Sequence, residues 1–189
     1  MTEHDNVKIV ALVGLTGSGK SEAVEYLTEK GYPKVYFGGV IYAAMKKANI
    51  PIGEENEKVF RVEIREKEGA DFIVREVIKQ IYDLINAGQK HIIADGIYSW
   101  DEYRAMKQEF HNDLDIIAII TPKHLRYHRL ESRAERPQTQ ATSIERDHKE
   151  IETLNKGGPI AMADHFVIND GDKEKLHRDI DAIVSDVNF

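Results

Sequence analysis

The feature that most constrains this chain is the run Gly14-Leu15-Thr16-Gly17-Ser18-Gly19-Lys20-Ser21. It follows an apolar run at residues 7–13 and precedes a stretch of helical spacing at residues 21–30. In that stretch Ala23, Val24 and Leu27 share one side, and Gly31 closes it. The spacing G-x-x-x-x-G-K-S between a strand and a helix is that of a phosphate-binding loop, or P-loop. Gly14, Gly17 and Gly19 let the backbone turn and approach phosphate with no Cβ in the way. Successive backbone N–H groups of the loop, whose nucleotide-binding residues include Thr16 and Ser18, then point inward as an anion nest, and the following helix adds the positive end of its dipole. Lys20 brings a point charge to the β- and γ-phosphates, and the Ser21 hydroxyl is placed to coordinate magnesium. The competing reading is a glycine-rich turn that carries Lys-Ser by chance. It leaves the strand before and the helix after unexplained.

A loop of this kind needs a parallel sheet behind it. Short apolar runs at residues 34–37, 91–94, 115–121 and 165–168 suit strands buried on both faces. Helical patterns lie between them. Residues 70–87 carry a wide stripe of Ile73, Val74, Val77, Ile78, Ile81, Leu84 and Ile85, closed by Gly88. Residues 100–110, 123–136, 143–155 and 172–187 also read as helices. The alternation predicts an α/β domain of three layers: a five-stranded parallel sheet with helices on both faces and ligands at the carboxyl ends of its strands. No repeat or long linker divides the chain, so residues 1–189 are expected to form a single domain.

Composition narrows the partners. The net charge of -7 argues against a broad basic footprint for nucleic acid or anionic lipid. With no cysteine there is no thiolate metal site, disulfide or cysteine nucleophile. Residues 1–6 show no basic leader, and the most apolar run, residues 114–120, is broken by Asp115 and far shorter than the roughly 20 residues that span a bilayer. The expected protein is soluble and cytoplasmic, with no membrane and no nucleic-acid partner.

Asp95 is the second element, at the end of the apolar run His91-Ile92-Ile93-Ala94. A carboxylate at the tip of a neighbouring strand suits a magnesium-bound water or an acceptor group. The alternative is an aspartate that opens a turn before Gly96. Three classes use such a loop. GTPases need a guanine-reading N-K-x-D; Asn155-Lys156-Gly157-Gly158 lacks the aspartate and follows a helical pattern, so it is set aside. Mechanical ATPases usually place a glutamate directly after the strand aspartate, and here Gly96 stands there. Kinases need arginines that close over the transferring phosphoryl group. Arg126, Arg129, Arg133 and Arg136 recur every three or four residues, one face of a helix, before Pro137 and a polar stretch at residues 138–142 that suits a hinge. Arg146 follows on the next helix. The alternative is a solvated basic face paired with Glu131 and Glu135.

Over nearly its whole length the chain resembles the adenylate-kinase-like P-loop kinases, closest to an archaeal adenylate-kinase-related, dephospho-CoA-kinase-like branch. The resemblance lies in Gly14 to Ser21, Arg65-Glu66-Lys67-Glu68-Gly69, Ile93-Ala94-Asp95-Gly96-Ile97, the arginines of residues 129–136, and Ala163-Asp164-His165-Phe166-Val167-Ile168-Asn169-Asp170-Gly171. It implies an acceptor-binding helical region at residues 38–88 and a lid at residues 123–156. Arg65 would face the acceptor, with Arg61 and Arg75 as weaker candidates. Arg133 and Arg136 would be catalytic lid arginines. Asn169, Asp170 and Gly171 would pack on the adenine. It also implies ATP as donor, Mg2+ held by Ser21 with Asp95, and a nucleotide-like acceptor of the nucleoside monophosphate type. Dephospho-CoA is the alternative acceptor, and an ATP-binding accessory or sensor protein without an acceptor is the alternative role. Two departures fall on the acceptor side. Gly39 stands where such kinases carry aspartate, and Tyr98 where the branch carries arginine. Tyr42 and Tyr98 suit a base or a neutral group, or simply pack.

Overall fold

Strand β1 (Lys8–Val13) sits at the centre of the sheet, paired in parallel with β3 (His91–Asp95) on one side and β4 (Leu114–Ile120) on the other. Strand β2 (Lys34–Tyr36) pairs with β3, and β5 (His165–Ile168) with β4, giving the order β2-β3-β1-β4-β5. All pairings are parallel. These are the strands the apolar runs predict. This computed structural model describes residues 6–134 and 136–189. Residues 1–5 and Glu135 lie outside that description, so the expectations placed on them have no counterpart here.

Three layers follow from the alternation of side chains along β1. Ile9, Ala11 and Val13 join one buried cluster, while Val10 and Leu12 join another. The first cluster is covered by α2 (Phe37–Lys47), α3 (Glu54–Glu68), α4 (Phe72–Asn86) and α5 (Trp100–Phe110). The predicted stripe on α4 supplies Ile73, Val74, Val77 and Ile81, and α2 supplies Phe37, Val40, Ile41 and Met45. The second cluster is covered by α1 (Lys20–Glu29) through Ala23, Val24 and Leu27. The C-terminal helix α9 (Lys173–Asp186) adds Leu176, Ile180 and Val184 to it. Burial on both faces is why these strands read as unbroken apolar runs.

Two helices stand at the carboxyl end of the sheet: α6 (Lys123–Ser132) and α7 (Gln140–Glu152). The expected helix over residues 123–136 is shorter than its arginine spacing suggests. It stops at Ser132, and Arg133 is extended. The N–H of Gln138 turns back to the open carbonyl of Leu130 (3.0 Å), which satisfies the helix end without further turns. Arg133 and Arg136 therefore do not share a helix face with Arg126 and Arg129. Residues 138–142 are not a free hinge either, because Thr139 caps α7 by accepting from the Thr142 N–H at 3.2 Å. A short helix α8 (Gly157–Ala161) leads to β5 and has no counterpart in the sequence reading. Among the described residues no helix is long and apolar enough to cross a membrane.

Candidate functional site

The connection leaving β1 runs toward one edge of the sheet and the connection leaving β3 toward the other. Ligands of doubly wound sheets bind at such a switch point. Here it brings the loop Gly14 to Ser21 beside Asp95, the last residue of β3, which is in register with Leu12. Gly19 caps α1 with a left-handed backbone (φ 96°) and no side-chain hydrogen bond. The helix therefore presents its first N–H groups without an internal partner, as anion binding requires.

The loop is held from three sides. The Asn169 amide donates to the Ser18 carbonyl at 2.8 Å, and so does the Thr121 hydroxyl. A Cβ on Gly19 would stand 2.2 Å from the Asn169 amide nitrogen, so only glycine admits this contact. From α6, the buried Arg126 donates to the Thr16 carbonyl at 2.9 Å while gripping both oxygens of Asp147 on α7 (2.9 and 2.5 Å). From α7, Glu150 accepts from the Thr16 hydroxyl at 2.8 Å. Glu150 also takes Lys156 Nζ at 2.8 Å and Arg146 Nε at 3.2 Å. Burial alone would raise the Glu150 pKa. The Lys156 and Thr16 contacts and the Arg146 charge outweigh it and leave the carboxyl below its usual range.

Loop and helices enclose a cleft of about 460 Å³. Lys20, Arg129, Arg133, Arg146 and Lys156 line it, against Asp95 and Glu150 alone among the described carboxylates. A chain of net charge -7 thus concentrates cations at one point. The mutual repulsion is visible at Arg133, whose pKa is lowered by partial burial and then by Arg146 and Arg136. Lys20 is ion-paired with Asp95. The far wall is aromatic, formed by Tyr36 and Tyr98, and burial drives the Tyr98 pKa far above its usual value, with Tyr36 and Asp95 adding to the rise. Gly96 leaves room for this ring, since a Cβ there would lie 2.7 Å from it. A second groove of about 590 Å³ shares Ser21 and Asp95 and carries Glu25 and Glu29.

The predicted residues divide between the cleft and its surroundings. Gly14, Thr16, Gly17, Ser18, Gly19, Lys20, Ser21, Asp95, Tyr98 and Arg133 all line it. Asn169 is buried behind the loop. Asp170 is exposed and paired with Lys175 at 3.4 Å, while the Gly171 carbonyl accepts from Arg129 at 3.3 Å. Tyr42 does not line the cleft; its hydroxyl meets Glu57 at 3.4 Å. Arg65 stands off as well, near enough for its charge to act on Glu102. Glu102 is buried and caps α5 through the Tyr98 and Ser99 N–H groups (2.7 and 3.2 Å), and burial raises its pKa against these contacts. Arg136 is exposed, its carbonyl taken by Arg133 Nε at 2.5 Å. Sequence reasoning missed Tyr36, Glu150 and Lys156. Tyr36 reads as a strand residue and Glu150 as one of many helix carboxylates. Lys156 lay in the discarded N-K-G-G segment, and its lysine was the available signal.

Among the described residues no group of three His, Cys, Asp or Glu side chains is poised for a metal. Magnesium bound with a triphosphate takes few protein ligands and several phosphate oxygens; the Ser21 hydroxyl and the Asp95 carboxylate, which both line the cleft, are oxygen donors that would fit it.

Comparison with known proteins agrees with this geometry. An AAA-domain family matches residues 10–155. A UPF0200 protein of Thermococcus gammatolerans is 32% identical over 182 residues, covering 95% of each chain. Among solved structures, TT1252 from Thermus thermophilus superposes with a TM-score of 0.66 at 16% identity, covering 96% of this chain and 98% of that one. A shikimate kinase from Bacteroides thetaiotaomicron gives 0.58 at 9% identity, covering 96% and 99%. Both likenesses are to the overall fold described above. The chain belongs to the AAA-domain family and, by its full-length likeness to the Thermococcus protein, to the UPF0200 proteins.

Proposed function

We propose that this protein is an ATP-dependent small-molecule kinase that moves the γ-phosphoryl group to a nucleotide-like acceptor. The observation that carries the reading is the convergence of Arg129, Arg133 and Arg146, from α6, the segment after it and α7, on the cleft that holds Lys20. A P-loop that only bound nucleotide would not need three guanidinium groups from another part of the chain. Spread charge on a transferring phosphoryl group does. Gly96 after Asp95 supports transfer over water activation, since the glutamate of a mechanical ATPase has no counterpart there.

In the reaction an acceptor oxygen forms a bond to the γ-phosphorus as the bond to the β,γ-bridging oxygen breaks. The bonding pair leaves with ADP, so charge builds on that bridging oxygen. The P-loop N–H groups and Lys20 stand where this charge develops, and the arginines meet the equatorial oxygens. Magnesium, held by Ser21 with Asp95, would neutralise the β- and γ-oxygens. Asp95 would orient the acceptor, with Tyr98 and Tyr36 as its aromatic wall and Arg65 approaching from α3. The helices α6 and α7 exclude water over the P-loop. Asn169 fixes the floor of the nucleotide site, and Asp170 and Gly171 stand at its edge for the adenine.

A shikimate kinase among the fold neighbours makes small hydroxyl compounds worth including as acceptors. The test is a coupled assay of ADP release with ATP and magnesium against nucleoside monophosphates, deoxynucleotides, dephospho-CoA and shikimate. Acceptor-stimulated release is expected for one of the nucleotide-like compounds. Tight ATP binding with no stimulation by any acceptor would sink the kinase reading. It would favour an ATP-binding accessory protein, a reading that Tyr42 and Arg65 support by standing off the cleft.

A further inference from the structure

Lys156 is only 3% exposed, yet its side chain lines the cleft together with the P-loop. An ammonium can donate three hydrogen bonds. This one makes a single hydrogen bond among the described residues, to Glu150 Oε2 at 2.8 Å. The face of the Tyr98 ring lies 5.3 Å from it. Burying a cation with two donors unmet is costly unless something arrives to take them. Its surroundings add to the cost: burial lowers the amine's pKa, Glu150 raises it, and the charges of Lys20 and Arg146 lower it again. A strut between α7 and α8 would not need to face Lys20. Nor does Glu150 need Lys156 as its only partner, because its other oxygen already takes Thr16 and Arg146. The arrangement sets two lysines on one cleft, one from the loop and one from the start of α8 over the Tyr98 ring.

We propose that Lys156 is a second phosphate-binding lysine of the site, a catalytic residue that donates to the γ-phosphoryl group of ATP, with Glu150 as the residue that positions it. This rests on the reading of the cleft as an ATP site. It assigns to Lys156 the group that moves, while the loop and Lys20 keep the rest of the triphosphate.

The experiment is calorimetric binding of MgATP and of MgADP to the full chain, for the wild type, for Lys156→Met, and for the charge-balanced double variant Glu150→Gln with Lys156→Met. The double variant leaves no unpaired buried carboxylate, so it keeps the test usable if the single one folds poorly. The wild type is expected to bind ATP more tightly than ADP. Each variant is expected to lose about tenfold or more in ATP affinity, as for a charge-assisted contact. ADP affinity should stay within about twofold, since ADP lacks the group Lys156 touches. An unchanged preference for ATP in the variants would overturn the proposal. So would a wild type that does not distinguish the two nucleotides, or an equal loss for both in the double variant, which would make Lys156 a structural support. The kinase reading fails separately: a site that prefers ATP through Lys156 but phosphorylates no acceptor keeps this assignment and loses the transferase.

Discussion

The P-loop and the α2–α3 region are built differently. The P-loop is tied to distant chain at two residues: Ser18 to Thr121 and Asn169, Thr16 to Arg126 and Glu150. Off the cleft, on what the proposed reading makes the acceptor side, α2 and α3 meet through looser contacts. The Tyr42–Glu57 hydrogen bond is long at 3.4 Å, and Val59 and Val62 of α3 are more than half exposed. A triphosphate is the same molecule in every cell, so its site profits from being rigid before binding. An acceptor that must be recognised and then enclosed calls for a wall that can move. On the proposed reading, the difference separates where affinity and where selectivity would reside.

The comparison can be broken at its strongest point first. Arg126→Met removes a buried cation from Asp147 and from the Thr16 carbonyl. Loss of one partner of a buried pair should cost about 3–5 kcal/mol, read as a lower urea midpoint. A near-wild-type midpoint would mean the loop does not depend on α6. Next is Lys20→Ala, which should lower acceptor-stimulated turnover by about 10²–10³-fold with the fold kept and the urea midpoint falling less than for Arg126→Met, since the stability loss is confined to the ion pair with Asp95. Equal losses in stability and turnover would merge the two roles. The smallest effect is expected on the looser side. Arg65→Ala should raise the acceptor KM about tenfold and leave MgATP affinity unaltered in the same calorimetric titration. A parallel loss of ATP affinity would show that the two sides are not separate.

How much of this was legible in the sequence depends on whether a contact is local. The P-loop is contiguous, and its strand and helix are its neighbours in the chain, so spacing alone located it. The five strands were legible because burial on both faces writes itself as apolar runs. The arginine row was misread because periodicity says nothing of where a helix stops. Gln138 ends α6 from outside, and that contact has no signature in residues 123–136. Arg126 looked like a lid residue and is committed to Asp147, an ion pair that only folding brings together. The helix α2 was hidden by Gly38 and Gly39 at its start and by the absence of any linker after β2. Those glycines leave space for the Tyr36 ring, since a Cβ on Gly38 would lie 2.4 Å from its hydroxyl. Lys156 was in plain view inside a motif that failed, and its place in the cleft depends on Glu150, α7 and β5 all being set.

On the proposed reading, the ion pair between Lys20 and Asp95 would have a kinetic consequence. Each group is the other's counter-charge, and on that reading Lys20 is needed by the triphosphate and Asp95 by its magnesium and then by the acceptor. A triphosphate that draws Lys20 toward its oxygens releases the carboxylate in the same event. The first substrate to arrive thereby unlocks the group the second one requires, and addition acquires a direction. No moving domain is needed for this order; one exchanged partner at the tip of β3 sets it.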